Sequence, residues 1–458
     1  MKEFIRPLRD PSSILVRDAK FLLTEGGVTA NKSLLVRDRR IEAIGDSASL
    51  QSRYGYAERV IDASRSIVIP GLINNHSHIA MSILRGYAED LPLLSWLKEK
   101  VWPAEAKLTP FDMYLGAVAG CAEALLSGTT SLTSVYFYDQ SGSEAEAAYD
   151  TGIRGVFAHG IFDWTRESGR KRTEEMVSSF HGRDDGRIRI ATSPHAPYSC
   201  SPELLKEIES LRGDLNEKYG KTYRILNTLH VAEARTEAEE IQAKYGVQAK
   251  EGVAKYLDSL GVLNDETICA HCIHLTEGDL AAFRRSGASI ASCPVSNLKV
   301  GMGIADLPRM ISNGTTVSLG TDGPASNNSL DMFETLKMSS LLSKGLKGDT
   351  TLMDARLCFE IATIGGARSL HQEKDVGGIA VGKRADIVIL DVSHIHAAPL
   401  YDPYSHIAYS SSSHDVSHVV VDGRLLVDNR EISSIDVPML REALERRTEE
   451  LGFAPKKG

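Results

Sequence analysis

The chain has 458 residues, 42% of them hydrophobic and 25% charged, the balance of a soluble globular protein. That length suits one large domain with a smaller companion, or two or three ordinary domains. A formal net charge of −9 with no basic stripe argues against a broad nucleic-acid or anionic-membrane surface, since both require clustered cations.

The first ten residues, Met1 to Asp10, lack the apolar core of a signal peptide. No apolar run is long enough to span a bilayer, so a cytoplasmic protein is expected. Cys121, Cys200, Cys269, Cys272, Cys293 and Cys358 are scattered and do not form a disulfide framework. They read as reduced core positions.

Residues 13–62 carry short strand-like runs without intervening helices, including Ile14-Leu15-Val16, Phe21-Leu22-Leu23 and Leu34-Leu35-Val36. From Ile67 to about residue 375 the texture changes. Eight β-like runs now alternate with helix-length amphipathic segments. They are Ile67–Ile73, Thr129–Tyr136, Ile153–Ala158, Ile188–Thr192, Tyr223–His230, Thr267–His271, Ala288–Cys293 and Thr315–Thr321. Helices are expected between them, among them Phe111–Leu126, Ser201–Tyr219, Thr236–Leu260, Thr276–Ser286 and Ile304–Asn313. Another, over Asp331–Lys344, should stop at Gly345. Eight strands mostly followed by helices predict an α/β fold, a TIM-like (β/α)8 barrel over 67–375. A doubly wound sheet gives no reason for eight. Strand texture then returns, with Val416–Val421 and Arg424–Val427 flanking the hairpin signal Asp422-Gly423. Residues 1–66 and 376–458 are expected to share one small β-sandwich domain split by the barrel, with a terminal helix over Met439–Leu451.

A barrel of this kind works at the C-terminal ends of its strands. The first run leads into His76-Ser77-His78, the fifth ends on His230, the sixth on His271, and the eighth on Asp322; His195 follows the fourth. A lone histidine is usually a satisfied polar residue, but the chain has fourteen, and their joint placement at strand ends is informative. Residues i and i+2 of a strand face the same way, so His76 and His78 can aim at one point. With His230 and Asp322 they offer three imidazoles and a carboxylate, a donor set for one divalent ion. Zn2+ is the first expectation, with Fe2+ and Mn2+ as alternatives. Such an ion lowers the pKa of a coordinated water. Glu233, just past His230, suits general acid–base work. His271 suits hydrogen bonding to the oxygen nucleophile, and Asp322 can accept a proton while ligating. A binuclear centre would want a lysine on the fourth strand, and Arg187–Ser193 has none. Cys269-Ala270-His271-Cys272 lacks a second cysteine pair at zinc-ribbon spacing. The Pro-Cys-x-x-Cys signature of the zinc deaminases of bases is also absent.

Together, Pro70-Gly71-Leu72-Ile73-Asn74-Asn75-His76-Ser77-His78, His230-x-x-Glu233, Ala270-His271-Cys272 and Leu319-Gly320-Thr321-Asp322-Gly323-Pro324-Ala325-Ser326-Asn327-Asn328 resemble the amidohydrolase superfamily. The likeness extends over nearly the whole chain, including Gly382-Lys383-Arg384-Ala385-Asp386. Within that superfamily, Leu94–Glu105 is similar to the deaminases of S-adenosylhomocysteine, 5'-methylthioadenosine and 5'-deoxyadenosine. The resemblance implies a homo-oligomeric hydrolase, a dimer or tetramer, that converts a 5'-modified adenosine to the inosine analogue and ammonia. It implies that Glu105 holds the ribose hydroxyls, that His195 contacts the adenine ring, and that Glu233 and Asp322 also meet the substrate. Attack falls on C6, with Glu233 protonating N1 and then the amine. One departure stands out. His159 occupies the place of an arginine expected to pair with the homocysteine carboxylate, with Arg166 or Arg170 as substitutes for a second, which leaves neutral 5'-substituents open. The alternatives are a deaminase or chloro- or thiomethyl-hydrolase of another heterocycle (guanine, pterin or triazine), and a scaffold without catalysis. Retention of both Glu233 and Asp322 speaks against the triazine hydrolases, and the intact donor set against the scaffold.

Overall fold

The computed structural model describes residues 2–10, 13–91, 95–139 and 141–453. Eight strands form one parallel sheet in sequential order. They are β1 (Leu72–Ser77), β2 (Thr129–Tyr136), β3 (Arg154–Ile161), β4 (Ile188–Pro194), β5 (Asn227–Val231), β6 (Thr267–His271), β7 (Ser289–Ser292) and β8 (Thr316–Leu319). The two ends of the sheet meet and close the ring. The Asp322 N–H donates to the His76 carbonyl at 2.9 Å, and the Asn74 amide group bonds Thr321 through both its oxygen and its nitrogen, at 3.1 and 2.7 Å. Gly320 permits this approach: a Cβ there would lie 2.8 Å from both the His76 Cβ and the His76 carbonyl oxygen.

The strands are buried throughout β2, β3 and β4, as a sheet covered on both faces demands. Branched and small side chains, Ile73, Val135, Val156, Ala158, Ala191 and Ile268, fill the barrel interior. The outer helices start on legible signals. Thr109 and Asp112 form a capping box ahead of Pro110–Leu126, and Thr276 and Asp279 form another ahead of Glu277–Ser286.

Both ends of the chain build the remaining sheets. Ser66–Pro70 pairs antiparallel with Ile387–Asp391 and parallel with Phe21–Thr24, in a seven-stranded sheet that includes the hairpin around Asp422-Gly423. A four-stranded sheet from residues 14–62 packs on it, sharing a core of Ile14, Val16, Leu34, Val68, Ile387 and Val420. No helix of the described residues is long and apolar enough to cross a membrane. All six cysteines are free and buried.

Several boundaries differ from expectation. The run Ile67–Ile73 divides, its first half joining the small sheet and its second half opening the barrel. Seven consecutive buried residues span it, and apart from Pro70-Gly71 at the break they carry no mark of that division, because both halves are enclosed on two faces. Thr236–Leu260 is two helices, Glu237–Tyr245 and Val253–Ser259, separated by a turn with glycines at both ends. The helix after β8 passes Gly345 and ends at Gly348, whose left-handed φ of 64° turns the chain out.

Arginines and aspartates fasten the small sheets to the barrel at the N-terminal ends of the strands. Arg154, at the start of β3, donates to Asp386 at 2.7 and 3.0 Å and to Asp422 at 3.1 Å. Arg384 reaches Asp422 at 3.0 Å, and Arg39 bridges Asp422 to Asp184. Burial alone would raise the Asp422 carboxyl, but Arg154, Arg384 and Arg39 carry it below the ordinary carboxylate range. Its contribution is therefore complete above about pH 4 and drains away as pH falls through the lowered folded value. Removing one member of a buried charge cluster costs about 3–5 kcal/mol. Arg154→Leu, which strands Asp386, is expected to lower the thermal midpoint at pH 7 markedly; an unchanged melting curve would contradict this role.

Candidate active site

At the C-terminal ends of the strands the side chains converge. The His76 ring centroid lies 4.9 Å from those of His78 and His230 and 5.3 Å from that of His271. Ring nitrogens of His76, His78 and His230 lie within 4.8 Å of one another, and so do donor atoms of His76, His271 and Asp322. Asp322 Oδ1 is 3.1 Å from His78 Nε2 and 3.6 Å from His76 Nε2. The structure thus gathers all four expected ligands.

Each donor is aimed by a partner behind it. His78 Nδ1 donates to the Val135 carbonyl at 2.6 Å and His230 Nδ1 to the His195 carbonyl at 2.9 Å, which turns each Nε2 lone pair into the site. Asp322 Oδ2 accepts hydroxyl protons from Ser296 and Ser326 at 2.6 and 2.7 Å, leaving Oδ1 to face the imidazoles. His271 Nδ1 donates to Asn297 Oδ1 at 2.8 Å. His271 and Asp322 hold left-handed φ angles of 68° and 64°, conformations that non-glycine residues adopt where the surroundings enforce them.

The electrostatics suit a cation. Burial, reinforced by His230 and His78, keeps His76 neutral far below the usual imidazole range, and burial with His271 brings His230 to about 3. For His78 burial works the same way, but the Asp322 hydrogen bond and charge prevail and raise it. Both ring nitrogens of His76 are buried and without a hydrogen-bond partner among the described residues. A neutral His78 Nε2 opposite a carboxylate oxygen at 3.1 Å sets two lone pairs face to face, which a proton on His78 or a metal ion between them relieves. The residues fit a divalent metal.

Glu233 stands over this centre, with Oε1 3.9 Å from His271 Nε2, and burial raises its carboxyl against the pull of His271. The cavity in front is small, about 70 Å3. Met81, Trp96, Leu97, Phe137, Tyr198 and Val300 give it apolar walls, and His195 lines it beside Phe137, their rings 4.9 Å apart. No lysine or arginine lines it among the described residues.

Not every residue singled out in the sequence reaches the cavity. Glu105 is 2% exposed and sits off the lining beside Tyr136, its Oε1 without a partner among the described residues, with burial pushing it up to about 8 against the Tyr136 hydroxyl. Leu94, at the head of the same stretch, lies outside the described residues. His159 is buried off the lining, and burial brings it to about 4. Arg166 and Arg170 both pair with Glu207 on the exposed face of a helix. Conversely, Ser296, Asn297 and Ser326 support the site in roles the sequence reading does not assign. Their signal is the polar pair one residue past Cys293-Pro294 after β7, and Ser326 within the motif that follows Asp322.

A sequence model of the amidohydrolase family matches residues 67–426. The chain is 39% identical to a 5'-deoxyadenosine deaminase from Methanothermobacter thermautotrophicus, over 96% of this chain and 99% of that protein. It is 37% identical to a 5-methylthioadenosine/S-adenosylhomocysteine deaminase from Thermoanaerobacter pseudethanolicus, over 86% of this chain and 89% of that one. Its fold superposes with a TM-score of 0.89 on the crystal structure of an adenosine deaminase from Xanthomonas campestris with bound zinc. That pair is 29% identical, covering 97% of this chain and 100% of the other. The donor set makes its own prediction. His76→Ala is expected to abolish stoichiometric zinc binding, read by elemental analysis after dialysis, while Ser326→Ala weakens it about 10–100-fold by freeing Asp322. Full metal content in the His76 variant would overturn the assignment.

Proposed function

The chain belongs to the amidohydrolase family, and on that premise we propose that it is a zinc-dependent deaminase of 5'-modified adenosines, a hydrolase of the C–N bond of a cyclic amidine. The observation that carries this reading is the convergence of His76, His78, His230 and Asp322 under Glu233 in one apolar-walled cavity. The relatives' deaminase names, over nearly the full chain, support the same conclusion.

His76, His78, His230 and Asp322 would hold the metal, which when bound supplies the Lewis acidity that brings the pKa of water toward neutrality. Asp322, kept anionic, accepts the proton of the attacking water, with Ser296 and Ser326 fixing its outer oxygen. Glu233, whose carboxyl burial raises, delivers its proton to N1 of the purine. Recharged with the proton that Asp322 took from the water, it protonates the departing amine, and the hydroxyl proton of the adduct restores it as the C6–N bond breaks. His271, oriented by Asn297, directs Nε2 at the oxygen that adds to C6. His195 borders the base, and Glu105, buried behind the cavity wall, is the residue proposed for the ribose hydroxyls. The apolar walls, without a cation among the described residues, favour neutral 5'-substituents over a homocysteine chain.

This reading includes a reducing, cytoplasmic setting, which the buried free cysteines support, and a homo-oligomer, for which light scattering is the test. Ammonia release with zinc present tests the activity directly. 5'-Deoxyadenosine and 5'-methylthioadenosine are expected to turn over with kcat/KM about tenfold or more above that for S-adenosylhomocysteine, a difference of about 1.4 kcal/mol; the reverse order would remove the argument from the cavity walls. Glu233→Gln should keep its metal and lose about 10^2–10^4-fold in kcat. Unimpaired turnover in that variant would sink the role of Glu233.

A further inference from the structure

A second buried acid stands next to Glu233 and has no task in the chemistry above. Glu237 opens the helix Glu237–Tyr245, is 1% exposed, and turns its Oε2 back to accept the Glu233 backbone N–H at 3.0 Å. The Glu237 N–H in turn donates to the Ala234 carbonyl at 3.2 Å, so two bonds close residues 233–237 into a compact turn. Upstream, the Ala232 carbonyl accepts the N–H groups of Ile273 and His274 at 2.9 and 3.0 Å, and Ala232 itself has a left-handed φ of 51°. The chain leaving β5 is thus pinned on one side by the segment after β6 and on the other by the Glu237 side chain.

The second oxygen of Glu237, Oε1, is buried and has no hydrogen-bond partner among the described residues. An anion would be costly there. Burial, and then the negative charge of Glu233, push the carboxyl up to about 8, so the neutral acid is the form that faces Glu233 at working pH. In that form it accepts the N–H without placing a second charge beside the proton carrier.

We propose that Glu237 is a positioning residue: by taking the Glu233 N–H it holds the turn after β5 in the one conformation that faces the Glu233 carboxyl into the cavity and toward His271. The inference rests on the reading of Glu233 as the proton carrier. A displacement of about 1 Å in a reacting group can cost 10^2-fold in rate, which sets the size of the effect.

The test compares zinc-loaded Glu237→Ala, Glu237→Gln and Glu233→Gln with the parent enzyme. Glu237→Ala is expected to lose about 30–100-fold in kcat. Its KM should stay within about threefold and its zinc content should be unchanged. Amide hydrogen exchange in the peptide covering 231–236 should be faster. Glu237→Gln keeps an oxygen that can accept the same N–H in a neutral group, and should restore both the exchange protection and kcat to within about fivefold of the parent. If Glu237→Ala does not fold, Glu237→Asp carries the same test, since a side chain one methylene shorter cannot reach the N–H: kcat falls and exchange quickens at steady KM. Parental kcat in the alanine or aspartate variant, or equal losses in the alanine and glutamine variants, overturns the proposal. The two readings fail separately. An active Glu233→Gln removes the proton carrier itself, whereas an inactive Glu233→Gln beside a fully active Glu237→Ala removes only the positioning role.

Discussion

Lone pairs aimed at one another are the constraint around which this molecule is organised. Three imidazole nitrogens and a carboxylate oxygen meet in a space from which water is largely excluded, and such a convergence is repulsive unless a cation occupies it. The chain gives these groups no means of retreat. Val135 and His195 supply carbonyls that hold two rings in one tautomer, and two serine hydroxyls hold the outer carboxylate oxygen. What is destabilising for folding is therefore what makes the site a strong cation trap.

Such a trap requires a rigid frame, and barrel closure provides it. The seam between β8 and β1 runs through the metal site itself, because the N–H of Asp322 donates to the carbonyl of His76. Two residues expected to bind one ion are thus also joined through the backbone. The absence of a side chain at Gly320 lets that seam form. Left-handed backbone at His271 and Asp322 is tolerated because flanking hydrogen bonds fix it, and it steers those side chains inward.

Much of this was legible in the residues. Eight β-like runs counted correctly as eight barrel strands, since alternation with amphipathic helices survives in the pattern even where strand limits shift. The four expected ligands were legible because histidine and aspartate at strand ends have few structural reasons to be there. Whatever depends on distance in space was not. Only Pro70-Gly71 in Ile67–Ile73 hints that the run serves two sheets, because both burial environments favour the same residues. Arg166 and Arg170 were reasonable candidates by position, yet helical periodicity turns them to Glu207. Glu105 carries a motif but lies off the cavity wall, a matter of tertiary packing. Ser296 and Ser326 act through Asp322, and a hydroxyl residue's place in the chain, even inside the motif Leu319–Asn328, does not say which oxygen it holds.

The tie between the two chain ends has a consequence for biosynthesis. Arg39 and Asp422 are 383 residues apart in the chain, and the strand Ser66–Pro70 finds its antiparallel neighbour only when Ile387–Asp391 has been made. At translation speeds of about 5–20 residues per second, the first-made strands wait tens of seconds for their partners. Throughout that interval the nascent protein carries an apolar strand edge of the kind that recruits other chains. The barrel is synthesised inside this waiting period, so its completed surface is the earliest shelter available to that edge. A fold that looks like two parts joined side by side is, on the ribosome, one part nested in time within the other.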